Sequence, residues 1–268
     1  MRGFGWVLSA IAASGCGFQV SSSTPGSDPD AGSGSDSAPD APDTDAAPIE
    51  RKLYAASDTM LYELDVDLKT AALVGQIATG STPFDVGGLA FDGTNIIGLS
   101  DDGSELLIID PSTAAVTARR AISPAGTYYG LTVAPAGEAG PTAVVFAGAT
   151  GSKLVAIDQA SGAATTVGTY GGGMIFYTDL AWVNGVGLFI TLQSGSCSPR
   201  CFAKLDHTTG VAAPIRYNLT ANVYGLSGYR GMLWALHHEG AVTLVNQTNG
   251  LMTNLGFDPN IPWTEAAQ

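Results

Sequence analysis

Beyond about residue 50 the apolar positions come in short bursts separated by Gly, Pro, Asn and Asp, and the bursts are rich in Val, Thr, Ile, Leu and Tyr. Such side chains suit short strands, and the residues between them suit tight turns. One burst recurs with the same shape: Leu61-Tyr-Glu-Leu-Asp65, Leu106-Leu-Ile-Ile-Asp110, Leu154-Val-Ala-Ile-Asp158, Phe202-Ala-Lys-Leu-Asp206 and Val242-Thr-Leu-Val-Asn246. The closing Asp or Asn positions are 45, 48, 48 and 40 residues apart. That is the period of a four-stranded propeller blade.

The residues around each burst fill in the rest of a blade. A turn follows the acid, as in Gln159-Ala-Ser161-Gly162, His207-Thr-Thr209-Gly210 and Gln247-Thr-Asn249-Gly250. Asp or Asn can accept backbone N–H groups there, and Gly can take a positive φ. Another strand then follows, for example Ala163–Thr169 or Met252–Phe257, completing an outer hairpin. Inner strands read Gly88-Leu-Ala-Phe91, Gly130-Leu-Thr-Val133, Asp179-Leu-Ala-Trp182 and Gly225-Leu-Ser-Gly228, with small residues where blades converge on an axis. Second strands follow at Asn95–Ser100, Thr142–Ala149, Val186–Gln193 and Gly231–His237.

The two ends each supply part of a repeat. Residues 52–77 hold three strands and no inner one. The C-terminal Trp263-Thr264-Glu265-Ala266-Ala267-Gln268 aligns with Tyr177-Thr178-Asp179-Leu180-Ala181-Trp182 and has no second strand after it. The tail is therefore expected to become the inner strand of the first blade, closing a ring of five and removing exposed edges. The predicted fold is all-β, a five-bladed β-propeller spanning 51–268. Its blade pattern resembles the broad family of bacterial extracytoplasmic propellers with YncE-like and PQQ-like repeats. That resemblance implies a fold and leaves function open, because propellers host binding modules, scaffolds and several enzyme classes.

Before residue 50 the chain changes character. Met1-Arg2-Gly3 is followed by the apolar stretch Phe4 to Ala13 and the small residues Ala13-Ser14-Gly15, then Cys16. Charge, a short apolar core and small residues in that order describe a secretory signal. The stretch is shorter than the roughly 20 residues a membrane span needs. The end of this segment resembles a bacterial lipobox, with Ala13 where Leu is usual. The resemblance implies that 1–15 is removed and that Cys16 carries lipid, and Gly17 after it favours the outer membrane or cell surface over retention at the inner one. Residues 16–50 then form an Asp-, Ser-, Pro- and Ala-rich linker, with six Asp, one Glu and no Lys or Arg in 21–50. It has too little to bury to offset the entropy of ordering. Flexible-chain scaling gives it a reach of about 30–35 Å.

Net charge is −13, and the 11 Lys and Arg are scattered. A nucleic-acid partner would want a clustered basic footprint, so none is expected. Of the three Cys, Cys197 and Cys201 form an even pair in an exported chain and are expected to form a disulfide. No cofactor and no metal site is expected, since too few further Cys or His lie near that pair and no phosphate loop, nucleophile elbow or metalloprotease motif occurs.

Chemistry is expected on the face where chain enters the inner strands. Phe84 and Asp85, Tyr128 and Tyr129, Phe176 and Tyr177, Tyr224, and Trp263 fall there. Such a ring could stack on sugars or peptide side chains, or could plug the channel. Asp179 and Glu265 take positions held by Gly in other blades, and Asp85 lies nearby in its own. Three acids around one mouth could coordinate a cation, or could divide acid and base roles in a manner similar to some five-bladed glycosidases. The adjacent His237 and His238 read as a surface pair, and His207 as a solvated turn residue. The sequence thus leads to a monomeric, lipid-anchored envelope protein whose propeller binds an envelope protein or glycan without catalysis. A carbohydrate hydrolase or lyase, and a purely structural envelope protein, are the alternatives.

Overall fold

The computed structural model describes residues 52–219, 222–257 and 261–267. The expected signal, Cys16 and the 16–50 linker lie outside the described residues. Twenty of the strands form five four-stranded antiparallel sheets. Blade 1 runs, from the inside outward, Glu265–Ala267, Leu53–Ser57, Met60–Asp65 and Thr70–Gln76. Blade 2 is Val86–Phe91, Ile96–Ser100, Glu105–Ile109 and Val116–Ala121. Blade 3 is Tyr128–Ala134, Val144–Ala149, Lys153–Ile157 and Ala164–Thr169. Blade 4 is Ile175–Val183, Gly187–Gln193, Arg200–Leu205 and Ala212–Tyr217. Blade 5 is Val223–Tyr229, Met232–His237, Val242–Val245 and Met252–Asn254. A two-stranded hairpin, Ala78–Thr79 with Thr82–Pro83, links the first two blades.

The C-terminal strand closes the ring as the aligned sequence requires. Tyr54, Ala55 and Ala56 pair antiparallel with Ala267, Ala266 and Glu265. Thr264 adds its backbone N–H and its hydroxyl to the Ala56 carbonyl, at 2.9 and 3.1 Å. The core confirms closure. Its five apolar clusters each lie between two neighbouring blades, and one of them joins Leu53 and Ala266 of blade 1 to Tyr229, Trp234 and Leu236 of blade 5. No sheet hides both faces by itself, so each is stable only with a neighbour on either side.

The repeated acid does the work assigned to it. Oδ1 of Asp65 accepts the N–H groups of Asp67 and Leu68. Asp110 caps Ser112, Asp158 caps Ser161, Asp206 caps Thr208 and Thr209, and Asn246 caps Thr248 and Asn249 in the same way. The hydroxyls of Ser112, Ser161 and Thr208 also donate to these carboxylates, and those bonds first, then the backbone N–H groups, hold the carboxyls of Asp110, Asp158 and Asp206 below their ordinary range. Four residues on, the chain always takes a positive φ: Lys69 at 58°, Ala114 at 61°, Gly162 at 76°, Gly210 at 74° and Gly250 at 66°. From blade 2 on, this turn also seats against the outer strand of the preceding blade. A Cβ on Gly162 would strike the Ala121 carbonyl, and one on Gly210 would lie 2.8 Å from the Gly168 carbonyl carbon. The turn is thus both the hairpin's corner and a blade-to-blade contact.

The expected disulfide joins Cys197 and Cys201, with Cα atoms 4.9 Å apart. It spans the loop between the second and third strands of blade 4. Both cysteines are buried, and Cys197 Sγ lies 3.3 Å from Met174 Sδ.

Candidate functional site

The innermost strands place five equivalent positions around the axis: Gly88, Gly130, Asp179, Gly225 and Glu265. Three are Gly: backbones meet at Gly88 and Gly225, and Gly130 has a positive φ and the Asp179 carboxylate against it. A Cβ on Gly88 would lie 2.8 Å from the Gly130 carbonyl carbon, and one on Gly225 would lie 2.8 Å from the Ala266 nitrogen. Asp179 uses its carboxylate where the others use backbone. Its Oδ2 accepts the Leu226 N–H at 2.7 Å and its Oδ1 accepts the Leu180 N–H at 2.8 Å, with the Leu131 N–H also bonded to it. One buried side chain thereby ties the inner strands of blades 3, 4 and 5 together. Glu265 is buried as well, and its Oε2 has no hydrogen-bond partner among the described residues. Burial, and secondly the charge of Asp179, push the Glu265 carboxyl well above the usual range. Burial likewise raises Asp179, against the pull of its three N–H donors.

These positions settle where the expected acids stand. Asp179 and Glu265 have buried side chains inside the ring, whereas Asp85 is exposed on the rim, its carbonyl accepting the Asp101 N–H. The three do not share an open cleft, so no substrate could meet them together.

The aromatic residues separate into two groups. Trp263 has no exposed surface; it packs edge-on to Tyr62 with ring centres 5.6 Å apart and donates its indole N–H to the Gly240 carbonyl. Tyr128 is buried too, its hydroxyl donating to the Pro124 carbonyl at 2.7 Å and its phenol pushed up by burial. Phe84 is half-buried against the blade 1–blade 2 core, with the Arg119 guanidinium 5.0 Å from its ring centre. These three are structural. Burial also corrects one histidine reading, and packing qualifies another. His237 is buried with Nε2 2.9 Å from the Thr243 hydroxyl, and desolvation lowers its pKa. His207 stays half-exposed in its outer turn, and its ring also packs against Trp182 and Phe146. Only the partners in space, not the turn sequence, make that visible.

Tyr129, Phe176, Tyr177 and Tyr224 form the second group, across blades 3, 4 and 5. Phe176 sits over Gly148 and Gly130, where any Cβ would collide with its ring or come within 2.9 Å of it. Tyr129 stacks on Phe176 with centres 5.7 Å apart and planes 19° apart, and remains 38% exposed. Tyr177 carries the Arg200 guanidinium 4.1 Å from its ring centre. Its phenol is raised by burial, lowered in part by Arg200 and raised again by the neighbouring Tyr224. Tyr224 is 38% exposed and packs against His238, 5.2 Å between centres.

Between blades 3 and 4 these rings border a groove of about 410 Å³. Tyr129, Ile175, Phe176 and Tyr177 give its apolar wall, and Thr150, Ser152 and Gln193 its polar one. Its size and mixed lining are those of a small-ligand site. Sequence reasoning found the rings and missed Thr150, Ser152 and Gln193. They come from the loop and strand end after each second strand, and only the blade register brings them beside the rings. A second cavity of about 640 Å³ lies by Glu138, Trp182, Lys204 and His207. There Glu138 is already engaged by the Trp182 indole N–H and the Gly185 N–H, at 2.6 and 3.0 Å. Among the described residues no group of three or more His, Cys, Asp or Glu is placed to hold a metal ion.

No family model matches the sequence, and no curated protein matches it. Among solved structures it is similar to a chain in a crystal structure of a nidogen/laminin complex, at 10% identity and a TM-score of 0.54, covering 81% of this chain and 97% of that one. It is also similar to a protein of unknown function from Bacteroides caccae, at 10% identity and a TM-score of 0.43, covering 75% of this chain and 71% of that one. At such identity the first likeness concerns the fold alone.

Proposed function

We propose that the protein is a ligand-binding propeller of the cell envelope, exported and tethered by a lipid on Cys16, and that it binds its partner through the groove at Tyr129. The observation that carries this reading is the stacked Tyr129–Phe176 pair beside Tyr177, a set of rings held rigid yet left open at the surface. Rigid aromatic faces give large contact area with little loss of side-chain entropy on binding. The likeness in fold to a chain from a two-protein complex is consistent with a binding role. The buried placement of Asp179 and Glu265 removes the acids that a hydrolase reading would need. A lipid on Cys16 would keep the domain near a membrane surface, within reach of envelope polymers and proteins.

Two measurements test the reading. In a bacterial host, the intact chain is expected in the membrane fraction and its Cys16→Ser variant in the soluble fraction; equal fractionation contradicts the anchor. In a screen against peptidoglycan, glycans and envelope proteins, a Tyr129→Ala/Tyr177→Ala variant is expected to lose binding that the unaltered protein shows. Identical behaviour of the two proteins contradicts the groove.

A further inference from the structure

We infer that the groove between blades 3 and 4 takes a neutral saccharide; this rests on the groove being the binding site. The first observation is charge. The protein carries −13, yet none of the groove's lining residues is Asp, Glu, Lys, Arg or His. The nearest guanidinium, that of Arg200, is committed to the Tyr177 ring and to the Asn222 side chain at 3.3 Å. A uronate, a phosphate or a charged peptide side chain would lose hydration on entering and find no opposite charge among the lining residues, the flanking cations Arg200 and Lys153 lying outside that lining. A neutral ligand meets no such penalty.

The second observation is the kind of polar group present. The Thr150 and Ser152 hydroxyls and the Gln193 amide can each donate and accept hydrogen bonds. A sugar hydroxyl does both, so it can pair with any of the three in either sense. The third is the shape of the apolar wall. Tyr129 is fixed flat by Phe176 behind it, at 19° between planes, and shows its outer face to solvent. A pyranose ring has a flat face of C–H groups that is slightly positive, and the face of an aromatic ring is slightly negative. Flat apolar ring, neutral hydroxyl and amide partners, and no charge together describe the surface of a neutral sugar.

The test titrates the intact, isotope-labelled protein with separate probes while following the Ile175 methyl and the Gln193 side-chain amide by NMR. The probes are cellotetraose, maltotetraose and tetra-N-acetylchitotetraose, then tetragalacturonate, then a pool of random heptapeptides. At least one neutral tetrasaccharide is expected to shift both signals saturably, and Tyr129→Ala to weaken it about tenfold or more. Tyr217→Ala, on the outer strand of blade 4, is expected to leave it unchanged. If tetragalacturonate or the peptides shift the same signals as strongly as every neutral sugar, the preference for a neutral saccharide is overturned and the groove stands. If a neutral sugar binds but Tyr129→Ala does not weaken it, or if no probe shifts either signal, groove and ligand class fall together.

Discussion

At the scale of single residues, the fold depends on where a side chain is absent and on two acids where none would be expected. Gly162 has φ 76° and sits against the Ala121 carbonyl of the preceding blade. Gly231 has φ 69° and no neighbour within 4 Å of a built Cβ. Gly231→Ala should cost about 1 kcal/mol, the expense of a left-handed backbone. Gly162→Ala should cost roughly 2–4 kcal/mol, because overpacking of the blade contact is added. Urea denaturation measures both, and equal losses would remove the blade contact from the account. The axial pair gives a pH dependence. The folded protein holds a proton on Asp179 and Glu265 that the unfolded chain releases once pH exceeds its ordinary carboxylate values, 3.8 and 4.5. The unfolded state then binds fewer protons than the folded one, so this contribution to stability falls as pH rises through the raised values. Glu265→Gln keeps the shape and removes the titration. It should be more stable than the parent at about pH 8 and should flatten the decline above about pH 5. Parallel stability profiles for the two proteins would show that Glu265 ionises freely.

At the scale of elements, the hairpins were legible because local chemistry dictates them. An Asp or Asn that caps its own turn, followed four residues later by positive φ, needs no distant partner, and the structure builds it five times. The inner strands were legible from their small residues for a different reason, the close approach of neighbouring blades at the axis. What the alignment could not resolve is which way a residue beside the axis points. Trp263 aligns with Tyr177, yet it turns inward beneath Tyr62 while Tyr177 stays near the surface under Arg200. The difference lies in the neighbours, since an innermost strand at the chain end is held only by partners distant in sequence. The disulfide was legible from the cysteine count in a chain whose beginning reads as an export signal. It braces the loop between Gln193, which lines the groove, and Arg200, which covers Tyr177. Cys197→Ser/Cys201→Ser should lose about 2 kcal/mol by the loop-entropy argument, read by thermal and urea unfolding. Unchanged stability, with or without reductant, would show that the crosslink adds nothing to the loop.

At the scale of the molecule, the ring explains why these strands fold at all and why the groove exists. Each of the five core clusters is shared by two blades, so removing one interface exposes apolar surface on both sides of it. The groove at Tyr129 is a space between blades 3 and 4, and its shape follows from their angle around the axis. Both depend on the tail of the chain joining its beginning. The most direct measurement is a crosslink at that joint. Ala55 and Ala266 are register partners, a spacing that suits a disulfide. An Ala55→Cys/Ala266→Cys protein, oxidised and digested, should yield a 55–266 linked peptide in high proportion, with residues 197 and 201 still bonded to each other. Recovery of both new cysteines as free thiols, or of the crosslink only between separate molecules, would contradict a ring closed by its own C-terminal strand.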